Sequence, residues 1–138
     1  MYTTTVLVRF GDLDPAGITY YPRLVDFLHR AFEDFFEGHV GRPYPEVIRS
    51  GIGFPTVRLE VDFLRPLRHG DLAVIEVGVE HVGRASMRFR YEGRSGGELA
   101  FRARNTAVSV DMSTLRPVPT PDWLRERLLA ARTETDTA

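Results

Sequence analysis

The sequence predicts an α+β domain in which an antiparallel sheet of about five strands lies against one long helix. Two patterns support this prediction. Apolar residues recur at helical spacing along one segment, and alternating apolar and polar residues mark one strand before that segment and four after it. A helix with one wide apolar face needs a sheet to cover it, which gives two packed layers.

The first strand is predicted at residues 3–10, where Val6, Val8 and Phe10 alternate with their neighbours. This two-residue period is typical of a strand with one buried face. Asp, Pro and Gly then follow one another within residues 11–17, and these residue types together indicate a turn region.

Pro22 suits the first turn of a helix, and the helical pattern extends from there to about Glu37. A shorter helix is expected around residues 45–49, closed by Gly51 in a left-handed conformation. The long helix has a wide apolar face. Its members are Leu24, Val25, Leu28, Ala31, Phe32, Phe35 and Phe36.

Four consecutive strands are predicted after the helical region, because apolar residues alternate again. They cover residues 57–63, 73–79 and 87–91, with a last strand from Leu99 onward. A short connection at Gly83 and Arg84 indicates a hairpin. The apolar positions then shift in phase between Ala103 and Val108, which suggests a bulge there. Thr120, Pro121 and Asp122 favour the start of a final helix.

Composition narrows the class of protein. The 138 residues suit one domain, expected at residues 1–132 with a frayed polar tail at 133–138. Without cysteine there can be no disulfide, thiolate metal site or cysteine nucleophile. The formal charge of -1 favours neither nucleic acid nor anionic membrane as a partner. We see no signal-peptide pattern and no apolar run of membrane length, so we expect a cytoplasmic protein.

Asp14 is the candidate residue for chemistry, because it lies in the turn that precedes the long helix. On spacing alone, a structural role of Asp14 in a turn is favoured over a catalytic role. Residues 14–17 read Asp-Pro-Ala-Gly, and this order suits a type I turn. The start of the helix offers unpaired amides and a partial positive charge, which suit a developing oxyanion. The backbone amide of Tyr21 is the candidate donor.

Other kinds of site find little support. The four histidines lack the spacing of metal ligands, so no metal is expected. No Gly-x-Ser-x-Gly elbow and no glycine-rich phosphate loop occurs. Several arginines could form a basic rim that binds phosphate, or they could be the solvated face of a strand, and both interpretations remain open. These arginines are Arg65, Arg68, Arg84, Arg88 and Arg90.

The run from Arg9 to Pro22, Arg-Phe-Gly-Asp-Leu-Asp-Pro-Ala-Gly-Ile-Thr-Tyr-Tyr-Pro, closely resembles the signature of the 4-hydroxybenzoyl-CoA thioesterase family. The resemblance continues through Gly53-Phe54-Pro55, the strand at 57–63 and the Arg84 hairpin. It implies a hotdog fold, in which a curved antiparallel sheet wraps the long helix. It also implies subunits that pair and assemble as a homotetramer, a dimer of dimers.

The resemblance also implies roles for individual residues. Asp14 matches the catalytic carboxylate, which attacks the thioester carbonyl or activates water against it. Tyr21 matches the residue whose backbone amide polarises the thioester oxygen. No separate cofactor is implied, because coenzyme A is part of the substrate. The remaining positions are Gly17, Tyr20, His29 and Phe54 for binding the substrate, and Arg84 and Ser86 for binding the coenzyme.

The implied reaction is the hydrolysis of an acyl-coenzyme A, with an aromatic acyl group of the benzoyl or hydroxybenzoyl type favoured. His29 stands where the hydroxybenzoyl enzyme carries a carboxylate, and Gly17-Ile18 replaces the Gly-His pair of short-chain thioesterases. A short-chain aliphatic substrate is the alternative within the enzyme class. The alternative outside the enzyme class is a non-catalytic module that binds acyl-coenzyme A or an acyl carrier. A dehydratase would need a carboxylate paired with a histidine such as His29.

Overall fold

The computed structural model describes residues 1–132, and the predicted tail at 133–138 lies outside this range. A 3-10 turn at Phe10–Asp12 precedes the long helix, and a π-helical turn at Phe36–Val40 continues it. The helices are α1 (Tyr21–Phe35), α2 (Tyr44–Arg49) and α3 (Asp122–Ala130). The strands are β1 (Tyr2–Leu7), β2 (Ile52–Gly53), β3 (Thr56–Phe63), β4 (Leu72–Val82), β5 (Ser86–Ser95), β6 (Glu98–Val108) and β7 (Val110–Asp111).

The main sheet has five strands in the order β1-β4-β5-β6-β3. Every neighbouring pair is antiparallel. The short strands β2 and β7 pair separately. An antiparallel five-stranded sheet against a long helix confirms the predicted fold class. The order leaves β1 and β3 as the two edge strands of the sheet.

The core lies between α1 and the inner face of the sheet. Phe27, Phe32 and Phe35 of the helix are buried against inward residues of the central strands, among them Ile75 and Phe89. The rings of Phe32 and Phe89 meet edge to face at 5.2 Å. Phe27 was absent from the predicted apolar face. It is fully buried because the sheet covers more of the helix than the predicted face included.

Two predicted boundaries are wrong. β1 ends at Leu7, and Phe10 is 81% exposed because the chain turns away into the 3-10 segment there. The helical region does not stop at Glu37 but continues to Val40, and Gly41 ends it with a φ of 85°. Gly38 in this turn lets the ring of Tyr2 pack against the backbone, since the ring occupies the space that a Cβ would need.

The predicted bulge in β6 is also wrong. From Ala103 to Val108 this strand pairs with β5 in unbroken register. The irregularity lies on the other side, in β3, where the register with β6 shifts between Thr56 and Arg58. The apolar pattern of β6 breaks for a different reason. Asn105 occupies an inward position of the strand.

The outer face of the sheet carries paired charges. Arg88 contacts Glu80 at 2.9 Å, and Arg90 contacts Glu92 at 2.8 Å. These arginines belong to a solvated strand face rather than to a basic rim. Within residues 1–132, no helix has the length and apolar character needed to cross a membrane.

Candidate active site

The turn before α1 presents the Asp14 carboxylate. The carbonyl oxygen of Asp14 accepts the Gly17 amide at 2.9 Å, and the Asp14 amide donates to Ile18 O at 2.9 Å. Oδ1 of Asp14 accepts the Ala16 amide at 2.8 Å, whereas Oδ2 has no hydrogen-bond partner within residues 1–132. Gly17 has a φ of 81°, which a glycine adopts without strain. The turn role and the presentation of a free carboxylate oxygen are therefore compatible.

Backbone hydrogen bonds fix this turn to the rest of the protein. The Tyr20 amide donates to Asp12 O at 2.8 Å. Both the amide and the hydroxyl of Thr19 donate to Leu67 O, at 2.8 and 3.0 Å. The carboxylate is thus held in a defined position relative to the start of α1, as catalysis requires.

The first turn of α1 leaves one amide unpaired. Tyr20 O accepts the amides of Arg23 and Leu24, at 2.8 and 3.3 Å. Pro22 has no amide hydrogen, and Tyr20 provides no side-chain cap. Among the described residues, none accepts the Tyr21 amide. It points from the positive end of the helix dipole and is free to meet a negatively charged oxygen.

A cavity of about 370 Å³ lies between α1 and the β3–β6 side of the sheet. Its size suits a small-molecule ligand. Three aromatic side chains, Phe32, Tyr44 and Phe54, are part of the lining, which suits a flat apolar group. The lining residues are Val25, Leu28, His29 and Phe32 of α1, Tyr44, Phe54, Thr56, Leu59 and Asn105. Two of the predicted substrate-binding residues, His29 and Phe54, therefore line the same cavity.

The cavity wall also carries polar groups. Nε2 of His29 lies 2.9 Å from Glu33, one turn further along α1. Burial raises the pKa of the Tyr44 hydroxyl, the backbone of Phe54 partly offsets this effect, and the charge of Glu33 adds to it. Tyr44 is therefore a neutral phenol at physiological pH and can both donate and accept a hydrogen bond.

The hairpin between β4 and β5 holds Arg84 and Ser86. Gly83 N donates to Ser86 O at 2.8 Å, and Thr120 N donates to Arg84 O at 2.9 Å, so the backbone is fixed at both points. Arg84 is exposed, and its guanidinium has no ion-pair partner in the part of the chain that the structure describes. By contrast, Arg65 is paired with Glu98 at 3.0 Å.

The predicted site residues thus lie in three groups. Asp14, Gly17, Tyr20 and Tyr21 share the turn and the helix start, His29 and Phe54 line the cavity, and Arg84 and Ser86 occupy the hairpin. Within residues 1–132, no hydrogen bond or ion pair joins one group to another. The same range contains no cluster of three or more His, Asp or Glu side chains suited to a metal ion.

Sequence reasoning predicted only His29 and Phe54 for the cavity. It placed Val25, Leu28 and Phe32 on the apolar face of the helix without a role in binding, and it gave no site role to Tyr44, Thr56, Leu59 or Asn105. A signal for Asn105 was present, since it interrupts the alternation of Phe101, Ala103 and Ala107 on the inner face of β6. The phase shift read as a bulge was in fact a polar residue at an inward position.

Comparison with known proteins identifies the family. The sequence profile of the thioesterase-like superfamily matches residues 8–128. The chain belongs to this superfamily. The match covers the Asp14 turn, α1, the whole of the sheet from β3 onward and most of α3, and it confirms both the predicted resemblance and the assignment to the thioester hydrolases.

Relatives of this thioesterase-like chain include an enzyme named 1,4-dihydroxy-2-naphthoyl-CoA hydrolase from Nostoc punctiforme. It is 27% identical over 99% of this chain and 93% of its own length. A thioesterase-superfamily structure from Jannaschia sp. is 26% identical with a TM-score of 0.90, covering 96% of this chain and 93% of that one. A gentisyl-coenzyme A thioesterase is 25% identical with a TM-score of 0.85, covering 92% and 99%.

Proposed function

We propose that this protein hydrolyses an aromatic acyl-coenzyme A to the free acid and coenzyme A, with Asp14 as the catalytic carboxylate. The observation that carries the proposal is the junction of turn and helix. There, a carboxylate with one anchored and one free oxygen precedes an unpaired backbone amide at Tyr21. A nucleophile or base beside an oxyanion donor is the minimum that acyl transfer to water requires.

Two routes use these groups. In the first, the Asp14 carboxylate adds to the thioester carbonyl, coenzyme A leaves as the thiolate, and water hydrolyses the resulting anhydride. In the second, water adds directly and Asp14 takes its proton. In both routes the Tyr21 amide donates to the oxygen on which negative charge develops. The thiolate is a good leaving group, so neither route needs a strong general acid.

The aromatic acyl group is supported by the cavity and by the relatives. Phe32, Tyr44 and Phe54 contribute rings to the cavity wall, and aromatic rings pack favourably edge to face or offset against one another. The names of two relatives specify aromatic thioesters, a dihydroxynaphthoyl and a gentisyl group. Arg84 is proposed to contact the coenzyme phosphates, and Ser86 lies beside it in the same hairpin.

We also propose that the active form is a homo-oligomer built on β3. Leu59 and Phe63 of this edge strand are 40% and 54% exposed, although they continue the inner apolar face of the sheet. Antiparallel pairing of two β3 strands about Leu59 would set Arg58 of each copy opposite Glu60 of the other, a favourable arrangement of charge. Leu59 lines the cavity, so a second copy at β3 would also complete the cavity wall.

The test is thiol release from benzoyl-, 4-hydroxybenzoyl- and 1,4-dihydroxy-2-naphthoyl-CoA and from aliphatic acyl-CoAs, with the natural protein and with Asp14→Asn. Asparagine keeps an Oδ1 that can accept the Ala16 amide, so the variant should fold normally. We expect kcat to fall at least about 100-fold. Asp12→Asn is the matched control, because Asp12 lies in the same turn and accepts the Arg9 amide at 2.9 Å.

Each possible result distinguishes between functions. Fast turnover of aryl thioesters that is lost only in Asp14→Asn supports the proposal. A preference for short aliphatic thioesters would replace the aromatic substrate with the alternative one. Saturable binding without turnover of any thioester would indicate an acyl-coenzyme A binding module. Unchanged turnover in Asp14→Asn would remove the carboxylate from the mechanism.

A further inference from the structure

Asn105 is a polar residue at an inward position of β6, where it lines the cavity. The inward residues on either side of it, Ala103 and Ala107, are buried. Its Oδ1 atom is buried and has no hydrogen-bond partner among the described residues. A buried amide oxygen without a partner is unfavourable, and a bound ligand could supply the missing hydrogen bond to the amide group.

Tyr91 is a diagonal neighbour of Asn105 on β5, since it pairs with Ala103, two residues away along β6. Its hydroxyl is also buried and also lacks a hydrogen-bond partner that meets geometric criteria within residues 1–132. Burial raises the pKa of Tyr91, and the side chain of Asn105 is the group that lowers it in part, which places the two polar groups close together. Tyr91 is therefore a neutral phenol that can orient the amide from its buried side.

Pairing between these two groups would not satisfy the amide. An asparagine side chain offers two donor hydrogens on Nδ2 and an oxygen that accepts twice, and a phenol can engage only one end of it. Because Asn105 lines the cavity, the other end is left for a group bound there, in a wall that also contains the polar residues Thr56 and His29. A hydroxyl group in the cavity would suit either orientation of the amide, because a hydroxyl both donates and accepts.

We propose that Asn105 is a specificity-determining residue, whose side-chain amide forms a hydrogen bond with a hydroxyl substituent on the acyl group in the cavity. Tyr91 is a positioning residue that holds the amide in place. The inference rests on the proposed thioesterase function and narrows its substrate to hydroxylated aromatic acyl groups. A site built to hydrogen-bond a hydroxyl discriminates strongly against the analogue that lacks it, because its own polar group is then left unpaired.

The experiment compares kcat/KM for a hydroxylated and a deoxy thioester, 4-hydroxybenzoyl-CoA against benzoyl-CoA and 1,4-dihydroxy-2-naphthoyl-CoA against 2-naphthoyl-CoA. We expect the natural protein to prefer the hydroxylated member of at least one pair by about tenfold or more. Asn105→Leu, similar in size but apolar, should bring that ratio to within about threefold of one, because kcat/KM should fall more for the hydroxylated substrate than for the deoxy substrate. Tyr91→Phe should lower the ratio less.

Thr106→Val is the matched control, since Thr106 is the next residue of β6 and faces outward opposite Arg88. It should leave the ratio unchanged. An equal loss of both substrates in Asn105→Leu, or no preference in the natural protein, would overturn the inference. Asn105→Ala, which also removes the amide, provides the same comparison if the leucine variant does not fold.

A binding experiment distinguishes a failure of the proposed thioesterase function from a failure of the proposed role of Asn105. If no thioester is turned over, the dissociation constants of non-hydrolysable thioether analogues of the same pairs are measured instead. A preference for the hydroxylated analogue that disappears in Asn105→Leu would support the role of Asn105 without hydrolysis. Equal affinities in both proteins would overturn it.

Discussion

At the scale of single residues, Arg84 is the exposed cation proposed to meet the coenzyme phosphates. Its backbone is fixed by the Thr120 amide, so the guanidinium extends from a defined point. Arg84→Ala should raise KM for acyl-coenzyme A about tenfold, because one charge-assisted hydrogen bond is lost, and should leave kcat nearly unchanged. Steady-state kinetics of thiol release measure both quantities.

Arg65→Ala is the control for this prediction. Its guanidinium is already paired with Glu98 at 3.0 Å, so its removal should not change KM. An unchanged KM in Arg84→Ala, or an equal rise in both variants, would place the phosphates elsewhere. The KM of the natural protein should also rise with ionic strength, since salt screens exposed charges.

Glu92 gives a pH-dependent prediction at the same scale. Its hydrogen bond to Arg90 holds its pKa below the ordinary value of 4.5, burial opposes this effect, and Arg94 reinforces it. A lowered pKa in the folded state stabilises the protein above the ordinary value, and this contribution disappears as the pH falls through the folded value. Glu92→Gln should cost about 0.5–1 kcal/mol of unfolding free energy at pH 7, since the pair is partly exposed.

Urea titrations at pH 7 and pH 3 measure this difference. At pH 3 the variant and the natural protein should differ less than at pH 7, because pH 3 is below the ordinary value of 4.5 and the unfolded state, with its higher pKa, already binds the proton there. Glu98→Gln, whose carboxylate is 61% exposed, should show no measurable change at either pH. If Glu92→Gln lowered the free energy of unfolding by the same amount at both pH values, the cause would be packing rather than charge.

At the scale of secondary structure elements, Gly93 determines how β5 and β6 fit together. The register between these strands shifts between Gly93 and Arg94, and the ring of Phe101 covers Gly93 where a Cβ would project. Gly93→Ala should therefore lower the unfolding free energy by about 1–3 kcal/mol, because the buried ring must move. Gly11→Ala, whose added Cβ meets no atom within 4 Å, should change it by less than about 0.5 kcal/mol.

The elements also show what sequence patterns can and cannot determine. Alternation located every strand of the main sheet, because apolar and polar residues face opposite sides of each strand. The same alternation in β3 suggested a buried face, yet Leu59 and Phe63 are exposed. The apolar period of a strand does not indicate whether the strand lies at the edge or in the centre of the sheet. Asn105 was misread for a related reason. A polar inward residue and a bulge both interrupt the pattern, and only the pairing of β6 separates them.

The candidate site was predictable to the extent that it is local. Asp14, Gly17 and Tyr21 lie within one short segment whose turn and helix start follow from residue type. The cavity is not local, because α1, α2, β3 and β6 each contribute to it. Its lining depends on how these elements pack, which sequence periodicity does not specify.

At the scale of the whole molecule, the two sheet edges differ in what they expose. β1 ends in Leu7, which is 47% exposed and lies opposite Leu72. β3 instead presents two inward apolar residues that α1 leaves exposed, Leu59 and Phe63, and Leu59 also lines the cavity. An uncovered apolar face beside a free strand edge favours association with another strand. We therefore expect β3, and not β1, to carry the subunit contact.

Phe63→Lys tests this expectation. A lysine on the apolar face of β3 should be unfavourable within a contact between two copies but tolerated in water, so the variant should be a folded monomer. Because Leu59 lines the cavity beside this contact, the monomer should also lose most of its thioesterase activity. Light scattering coupled to size-exclusion chromatography measures the mass. Leu7→Lys is the control and should keep the natural mass and activity. A Phe63→Lys protein of unchanged mass would show that the subunit contact does not use this face of β3. A natural protein that is monomeric and active would show that the cavity is complete without a second copy.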